Sequence, residues 1–221
     1  EYVGNKVERM DGSVKLTQPM LLQSFTDEFK FQRDHKVMNP AVPGSVLHPT
    51  EGKLSSDDLF TYRSGTGKLL HLMKWSRPEI GNAVRELSCY MSNAGMSHMK
   101  ALYRVMNYCL NTSERGKVFK PRRTCKHEDI ANFEFIVDGY SDSDYAKDPI
   151  KRRSVSGFCS FLEGCVLNTK SRMQPITSLS VTEAELVAAT ECAQDLLFIK
   201  NVLESIGLKV RTPMNLYIDN S

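Results

Sequence analysis

The sequence has no apolar run approaching the ~18 residues that a membrane-spanning helix requires. Its first residues, Glu1-Tyr2-Val3-Gly4, lack the basic start and apolar stretch of a secretory signal. These absences predict a soluble protein with no membrane partner. No C-x-x-C pair occurs among Cys89, Cys109, Cys125, Cys159, Cys165 and Cys192. Several of them fall within apolar periodicity, so reduced core thiols are expected rather than a zinc site or a disulfide framework. That pattern fits an intracellular setting. Excess charge is also scarce: a net +3 and a pI near 8.5 are too mild to establish nucleic-acid binding. What is present is a 41% hydrophobic content over 221 residues, enough to build one large core or two small ones.

The positive charge is clustered. One cluster runs from Arg115 to Lys126 and includes Lys117, Lys120, Arg122 and Arg123; a second is Lys151-Arg152-Arg153, and Lys170 with Arg172 form a smaller third. Charge alone reads each cluster as a solvated loop.

The first half patterns as mostly helical. Thr17-Gln18-Pro19 offers a capping hydroxyl and a proline for a first turn, followed by Leu21, Leu22, Phe25 and Phe29 at helical spacing, with an end expected near Phe31. Asn39 to Pro49 carries three prolines and a glycine and must be a loop or extended crossing. Ser55-Ser56-Asp57-Asp58 then caps a helix running through Leu69, Leu70 and Met73. Adjacent aspartates can be polymerase metal ligands, but these two lack a preceding apolar strand and read as first-turn acids opposite the helix dipole. Two further amphipathic helices follow, one marked by Ile80, Val84, Leu87 and Met91, the other by Met99, Leu102, Met106 and Leu110.

The basic stretch from Pro121 to Asp129 interrupts this patterning and is the expected domain boundary, dividing the chain into 1-120 and 130-221. Beyond it, Phe133 to Tyr145, Gly157 to Leu162 and Cys165 to Lys170 read as strands, with Glu163-Gly164 turning between the last two. A long helix from Val181 to Ile206 leads through Gly207 to a last strand, Met214 to Ile218. Three strands, a helix and a strand predict an α+β or α/β layer domain after the helical segment.

Three acids fall at related places: Asp142 late in the first of these strands, Glu185 in the first turns of the long helix, and Asp219 at the end of the last strand. Carboxylates converging from separate elements can hold magnesium for phosphodiester hydrolysis. At about 100° per residue, Glu185 is in phase with Ala189, Cys192, Leu196, Ile199 and Leu203, whereas Glu183 falls about 160° away. An acid on an apolar face is costly unless it is paired or binds metal, so Glu185 is a functional candidate and Glu183 a first-turn acid. Alternation cannot choose among Asp138, Asp142 and Asp144, which share one parity. Asp148, before Pro149, reads as a loop residue.

The run Gly139-Tyr140-Ser141-Asp142-Ser143-Asp144-Tyr145, then Arg152-Arg153-Ser154-Val155-Ser156-Gly157, then Ser180-Val181-Thr182-Glu183-Ala184-Glu185, then Tyr217-Ile218-Asp219-Asn220 resembles the ribonuclease H of copia-type retroelements. Upstream, Tyr2-Val3-Gly4, Leu16-Thr17-Gln18-Pro19, Tyr62-Arg63-Ser64 with Gly67, and Arg77-Pro78-Glu79-Ile80 resemble the region after the polymerase palm in the same polyproteins.

The resemblance covers nearly the whole chain. It implies a reverse transcriptase thumb and connection segment followed by a ribonuclease H-like mixed-sheet domain, which cleaves the RNA strand of RNA/DNA hybrids. It makes Asp142, Glu185 and Asp219 the ligands of two Mg2+ ions. It implies a hybrid or other duplex as partner, beside the remainder of the Pol polyprotein, in a cytoplasmic particle or the nucleus. The basic clusters offer Lys117, Lys120, Arg122, Arg152 and Arg153 to the duplex's phosphates. The family's aromatic-x-Asp-Asp polymerase motif has no counterpart in this chain, so DNA synthesis is not expected. The match stops at Ser221, just after the third acid and before the family's fourth carboxylate. Weak or absent cleavage is therefore expected, with a non-catalytic nucleic-acid-binding remnant as the alternative.

Overall fold

The computed structural model describes residues 4–148 and 150–219. Glu1, Tyr2, Val3, Pro149, Asn220 and Ser221 lie outside them. The fold is mixed α+β, and it divides into two compact units, Glu1–Met10 with Val14–Val118, and Phe119–Ser221 with Asp11–Ser13.

Before the first helix come two strands, β1 (Lys6–Met10) and β2 (Ser13–Thr17), joined through Asp11-Gly12 with Gly12 at a left-handed φ of 64°. Asp-Gly between short alternating strands is a strong hairpin signal. A third strand, β3 (Lys117–Phe119), completes a sheet in the order β1-β2-β3. Helix α1 (Pro19–Glu28) begins after Gln18 with no side-chain cap, from Thr17 or otherwise, and stops before Phe29, whose backbone is extended, so it is shorter than its apolar spacing suggests. The proline-rich segment from Asn39 to Pro49 contains neither helix nor strand.

Helix α2 (Ser56–Trp75) begins where Ser55 Oγ accepts the Asp58 amide at 3.2 Å and donates to the Asp58 carboxylate at 2.7 Å, which places Asp57 and Asp58 in a first turn. A short 3-10 turn at Pro78–Ile80 leads into α3 (Gly81–Ser88), and α4 (Met96–Asn111) follows. Phe25, Tyr62, Leu69, Leu72, Ile80, Leu87, Leu102 and Met106 are buried at the centre of these helices. Gly65 lets α2 approach α4 closely: a β-carbon there would sit 2.8 Å from Met106 Cε.

The second unit holds two short paired strands, β4 (Glu134–Phe135) and β8 (Lys209–Val210), and a larger sheet made of β5 (Val137–Asp144), β6 (Val155–Leu162), β7 (Cys165–Met173) and β9 (Asn215–Ile218). The strand expected over Phe133 to Tyr145 is thus split in two at Ile136, whose amide is taken by the Glu163 carboxylate. The large sheet runs β7-β6-β5-β9; β5 is antiparallel to β6 and parallel to β9, with Ser141 opposite Ile218. Glu163 and Gly164 both have positive φ and close the two-residue turn between β6 and β7, a geometry that matches the right-handed twist of paired strands.

The 25-residue helix α5 (Val181–Ser205) packs on this sheet. Ser180 Oγ caps it by accepting the Glu183 amide at 3.1 Å, and Glu183 takes the Leu179 amide at 2.6 Å, so Glu183 is spent on the helix start. The stripe of Ala189, Cys192, Leu196, Ile199 and Leu203 is buried, as its spacing indicated. Gly139 makes this seating possible: a β-carbon there would lie 2.7 Å from Cys192 Sγ and 3.1 Å from Leu196.

Candidate active site at the end of the central strands

Two polar networks, one buried and one partly exposed, hold α5 to the sheet and thereby fix the position of Glu185. Gln174, fully buried after β7, donates to Ser156 Oγ at 3.0 Å and to the Ala184 carbonyl at 2.9 Å, while Ser178 Oγ donates to its carbonyl oxygen at 2.8 Å. About three turns further along α5, Asp195 accepts from Ser160 Oγ at 2.7 Å and from Asn168 at 2.8 Å. Every buried polar atom of Gln174 is matched, which is the condition under which such a group can be carried inside a fold at no net penalty.

Glu185, half-buried on the first turns of α5, differs. Its Oε1 accepts from the Ser143 amide at 3.1 Å and from Ser143 Oγ at 2.7 Å, but its Oε2 is buried without a hydrogen-bond partner. The Ser143 amide also donates to Asp142 Oδ1 at 2.8 Å. One N–H therefore serves two carboxylates, and Asp142 and Glu185 stand side by side. Ser141 Oγ, on the same strand, is likewise buried and unmatched. Two carboxylates on one donor, one of them with an unmatched buried oxygen, offer the hard oxygen ligands that a divalent cation such as magnesium prefers.

Asp219 follows Ile218 directly, and Asp142 follows Ser141, so the parallel pairing of β5 with β9 brings both to the same end of neighbouring strands. Asp219 is exposed there. Among the described residues, no three His, Cys, Asp or Glu side chains are grouped as a ready metal-binding set. The structure thus joins Asp142 to Glu185 by a shared donor and sets Asp219 at the adjacent strand end.

Of the other acids on β5, Asp138 is buried beside Asn215, which donates to it at 3.3 Å, and Asp144 is exposed and lies 3.6 Å from Lys147. Asp148 accepts the amides of Ile150 and Lys151 at 2.9 and 3.1 Å, which makes it a turn residue. Burial pushes the Cys192 thiol up to about 11, so it sits under the strand as a protonated core group and not as a nucleophile. All six cysteines are free.

The five basic candidates are placed differently from one another. Lys120 and Arg122 are exposed, and the Arg122 stem packs over Gly164. Arg152 is exposed at a left-handed φ of 54°, with Arg153 half-buried after it. Lys117, on β3 of the first unit, is half-buried, and burial lowers its pKa from the usual lysine value. Arg123 has another role: it forms a two-pronged ion pair with Glu163, donates to the Glu134 carbonyl at 2.7 Å and stacks over Phe133. Burial pushes the Glu163 carboxyl up, but hydrogen bonds from Arg123 and the Ile136 amide outweigh it and hold the group below its usual value.

Sequence reasoning missed Ser143, Gln174 and Glu163. Ser143 alone carried a signal: it lies between two acids and has the parity of Gly139 and Ser141.

Comparison with known proteins adds what geometry cannot. The chain is 31% identical over 218 residues, 94% of its length, to the retrovirus-related Pol polyprotein from transposon TNT 1-94 of Nicotiana tabacum. It is 25% identical over 219 residues, 99% of its length, to that from transposon RE1 of Arabidopsis thaliana. This chain belongs to the Pol polyproteins of copia-type retrotransposons. It spans 15% and 14% of the lengths of those two Pol polyproteins. A secreted RxLR effector protein of Plasmopara viticola is also similar, 34% identical over 151 residues, covering 68% of this Pol-family chain and 93% of the effector. No family model matches the chain. No solved structure matches it either. No helix among the described residues is long and apolar enough to cross a membrane.

Proposed function

We propose that this chain carries the ribonuclease H portion of a copia-type Pol polyprotein, preceded over 1-120 by a thumb- and connection-like segment of its reverse transcriptase. Its ancestral reaction on this reading is magnesium-dependent hydrolysis of the RNA strand of an RNA/DNA hybrid. The observation that carries the reading is the Asp142–Glu185 pair on one amide hydrogen, with Glu185 Oε2 buried and unmatched. Family membership and the strand order β7-β6-β5-β9, antiparallel except for its last pair, support it.

Asp142 and Glu185 would hold magnesium through hard carboxylate oxygens, with Asp219 as the third ligand from the neighbouring strand end. Bound magnesium supplies activation of the attacking water and stabilisation of the leaving oxygen. The protein keeps the two acids adjacent through Ser143 and anchors Glu185 through the Gln174 and Asp195 networks. Lys120, Arg122, Arg152 and Arg153 supply phosphate contacts that position a duplex without reading its sequence, and Lys117 adds a further cation on β3.

Misplacing a reacting group by ~1 Å can cost on the order of a hundredfold in rate. Because Asp219 is exposed and the three acids do not stand as one grouped set, weak cleavage is expected. The test is cleavage of an RNA/DNA hybrid by the 221-residue chain with magnesium, beside Asp142→Asn. Slow cleavage abolished by the substitution is the expected result. Cleavage unchanged by it would overturn the assignment. The absence of a grouped triad favours one second reading, a non-catalytic duplex binder; salt-sensitive hybrid binding with no cleavage at all would establish it in place of the first.

A further inference from the structure

The acid pair meets at Ser143. Ser143 sits between Asp142 and Asp144 on β5, and both of its donors are committed to neighbouring carboxylates: the amide to Asp142 Oδ1 and Glu185 Oε1, the hydroxyl to Glu185 Oε1 at 2.7 Å. A hydroxyl-to-carboxylate bond of this length is charge-assisted and stronger than a neutral one. The two bonds converge on a single oxygen of Glu185 and leave the other, Oε2, buried and without a donor. A carboxylate on a side chain with several rotatable bonds would otherwise turn to share its donors between both oxygens. Here the asymmetry is imposed by a residue on a different element from the one that carries the acid.

Resting on the metal-dependent reading above, we infer that Ser143 is a positioning residue for Glu185, pinning Oε1 so that Oε2 is held ready for a divalent cation. Its hydroxyl contacts the acid and needs no contact with metal or substrate. Partners of this kind orient a ligand, and their removal commonly costs roughly 10- to 100-fold in metal affinity. The backbone amide survives any substitution at this position, so a side-chain variant isolates the hydroxyl.

The experiment measures Mn2+ affinity by calorimetry and by the electron paramagnetic resonance of the free ion. It compares the full chain with Ser143→Ala, Ser143→Thr and Glu185→Gln, with the melting temperature of each recorded in metal-free buffer. Ser143→Ala is expected to weaken Mn2+ binding about tenfold at an unchanged melting temperature. Ser143→Thr, which keeps the hydroxyl, restores most of the affinity, and Glu185→Gln removes the binding that depends on this site. If Ser143→Ala binds Mn2+ as tightly as the parent while Glu185→Gln does not, the role of Ser143 is wrong and the metal reading stands. If Glu185→Gln also leaves binding unchanged, or the parent binds no Mn2+, both fall. A lower melting temperature for Ser143→Ala with unchanged affinity would mark the serine as structural only and overturn the inference.

Discussion

Arg77 in the first unit and Glu185 in the second hold their charge in opposite ways. In the first, Arg77 is 1% exposed among the helices, and each arm of its guanidinium has a match: Glu79 at 2.6 Å, the Thr112 carbonyl at 3.1 Å and the Thr112 hydroxyl at 2.6 Å, with the Tyr108 ring beneath. In the second, Glu163, Gln174 and Asp195 are matched in the same manner, but Glu185 is not. A buried group with every donor and acceptor answered belongs to the architecture. The metal reading proposed for Glu185 rests on the other pattern, one oxygen held by Ser143 and the other without a donor. This contrast separates Glu185 from Glu163, Gln174 and Asp195.

Substitutions at the matched group should show the largest effect. Arg77→Met takes the guanidinium from the buried Thr112 carbonyl and from Glu79, and should destabilise the first unit by about 3 kcal/mol in urea-induced unfolding. A loss well under ~1 kcal/mol would mean the network is not structural and would break the comparison on its first side. A smaller effect is expected where the second unit depends on shape rather than charge. Gly139→Ala places a β-carbon against Cys192 and Leu196 and should cost about 1–3 kcal/mol through overpacking. It should also impair hybrid cleavage, because α5 carries Glu185 and is pushed off the strand. Unchanged stability would show that α5 can slide on the sheet without cost, and the fixed placement of Glu185 would then lose its support.

How much of this was readable beforehand follows from the range of each interaction. The stripe on α5 was legible because a 3.6-residue period over many turns is a local property of the sequence, and Glu185 stood out as the acid within it. The first-turn roles of Asp57, Asp58 and Glu183 were legible for the same reason. The β1–β2 hairpin was not drawn out, although Asp11-Gly12 signals it, because Lys6–Met10 is short, polar and mostly exposed, so alternation was faint. Glu163 read as a turn residue and is one, with a positive φ. Its carboxylate nevertheless reaches Arg123, forty residues earlier in the chain, and no local pattern encodes a contact of that separation. Ser143 was invisible as a partner of Glu185 for the same reason: the bond spans |i−j| = 42 and exists only once α5 has docked on β5. Parity could not choose among the β5 acids, and the choice of Asp142 came from resemblance. In the structure, Asp142 shares a donor with Glu185.

The most direct test of the contrast is the thermal stability of Glu185→Gln against the parent, with and without magnesium. Removing a charge from beside Asp142 should leave the metal-free melting temperature unchanged or slightly higher, unlike the loss expected at Arg77. A ligand that binds only the folded state raises stability with its concentration, so millimolar magnesium should stabilise the parent and not the variant. A variant that melts well below the parent without metal, or gains as much from magnesium, would show that Glu185 is one more matched structural group and would contradict the account.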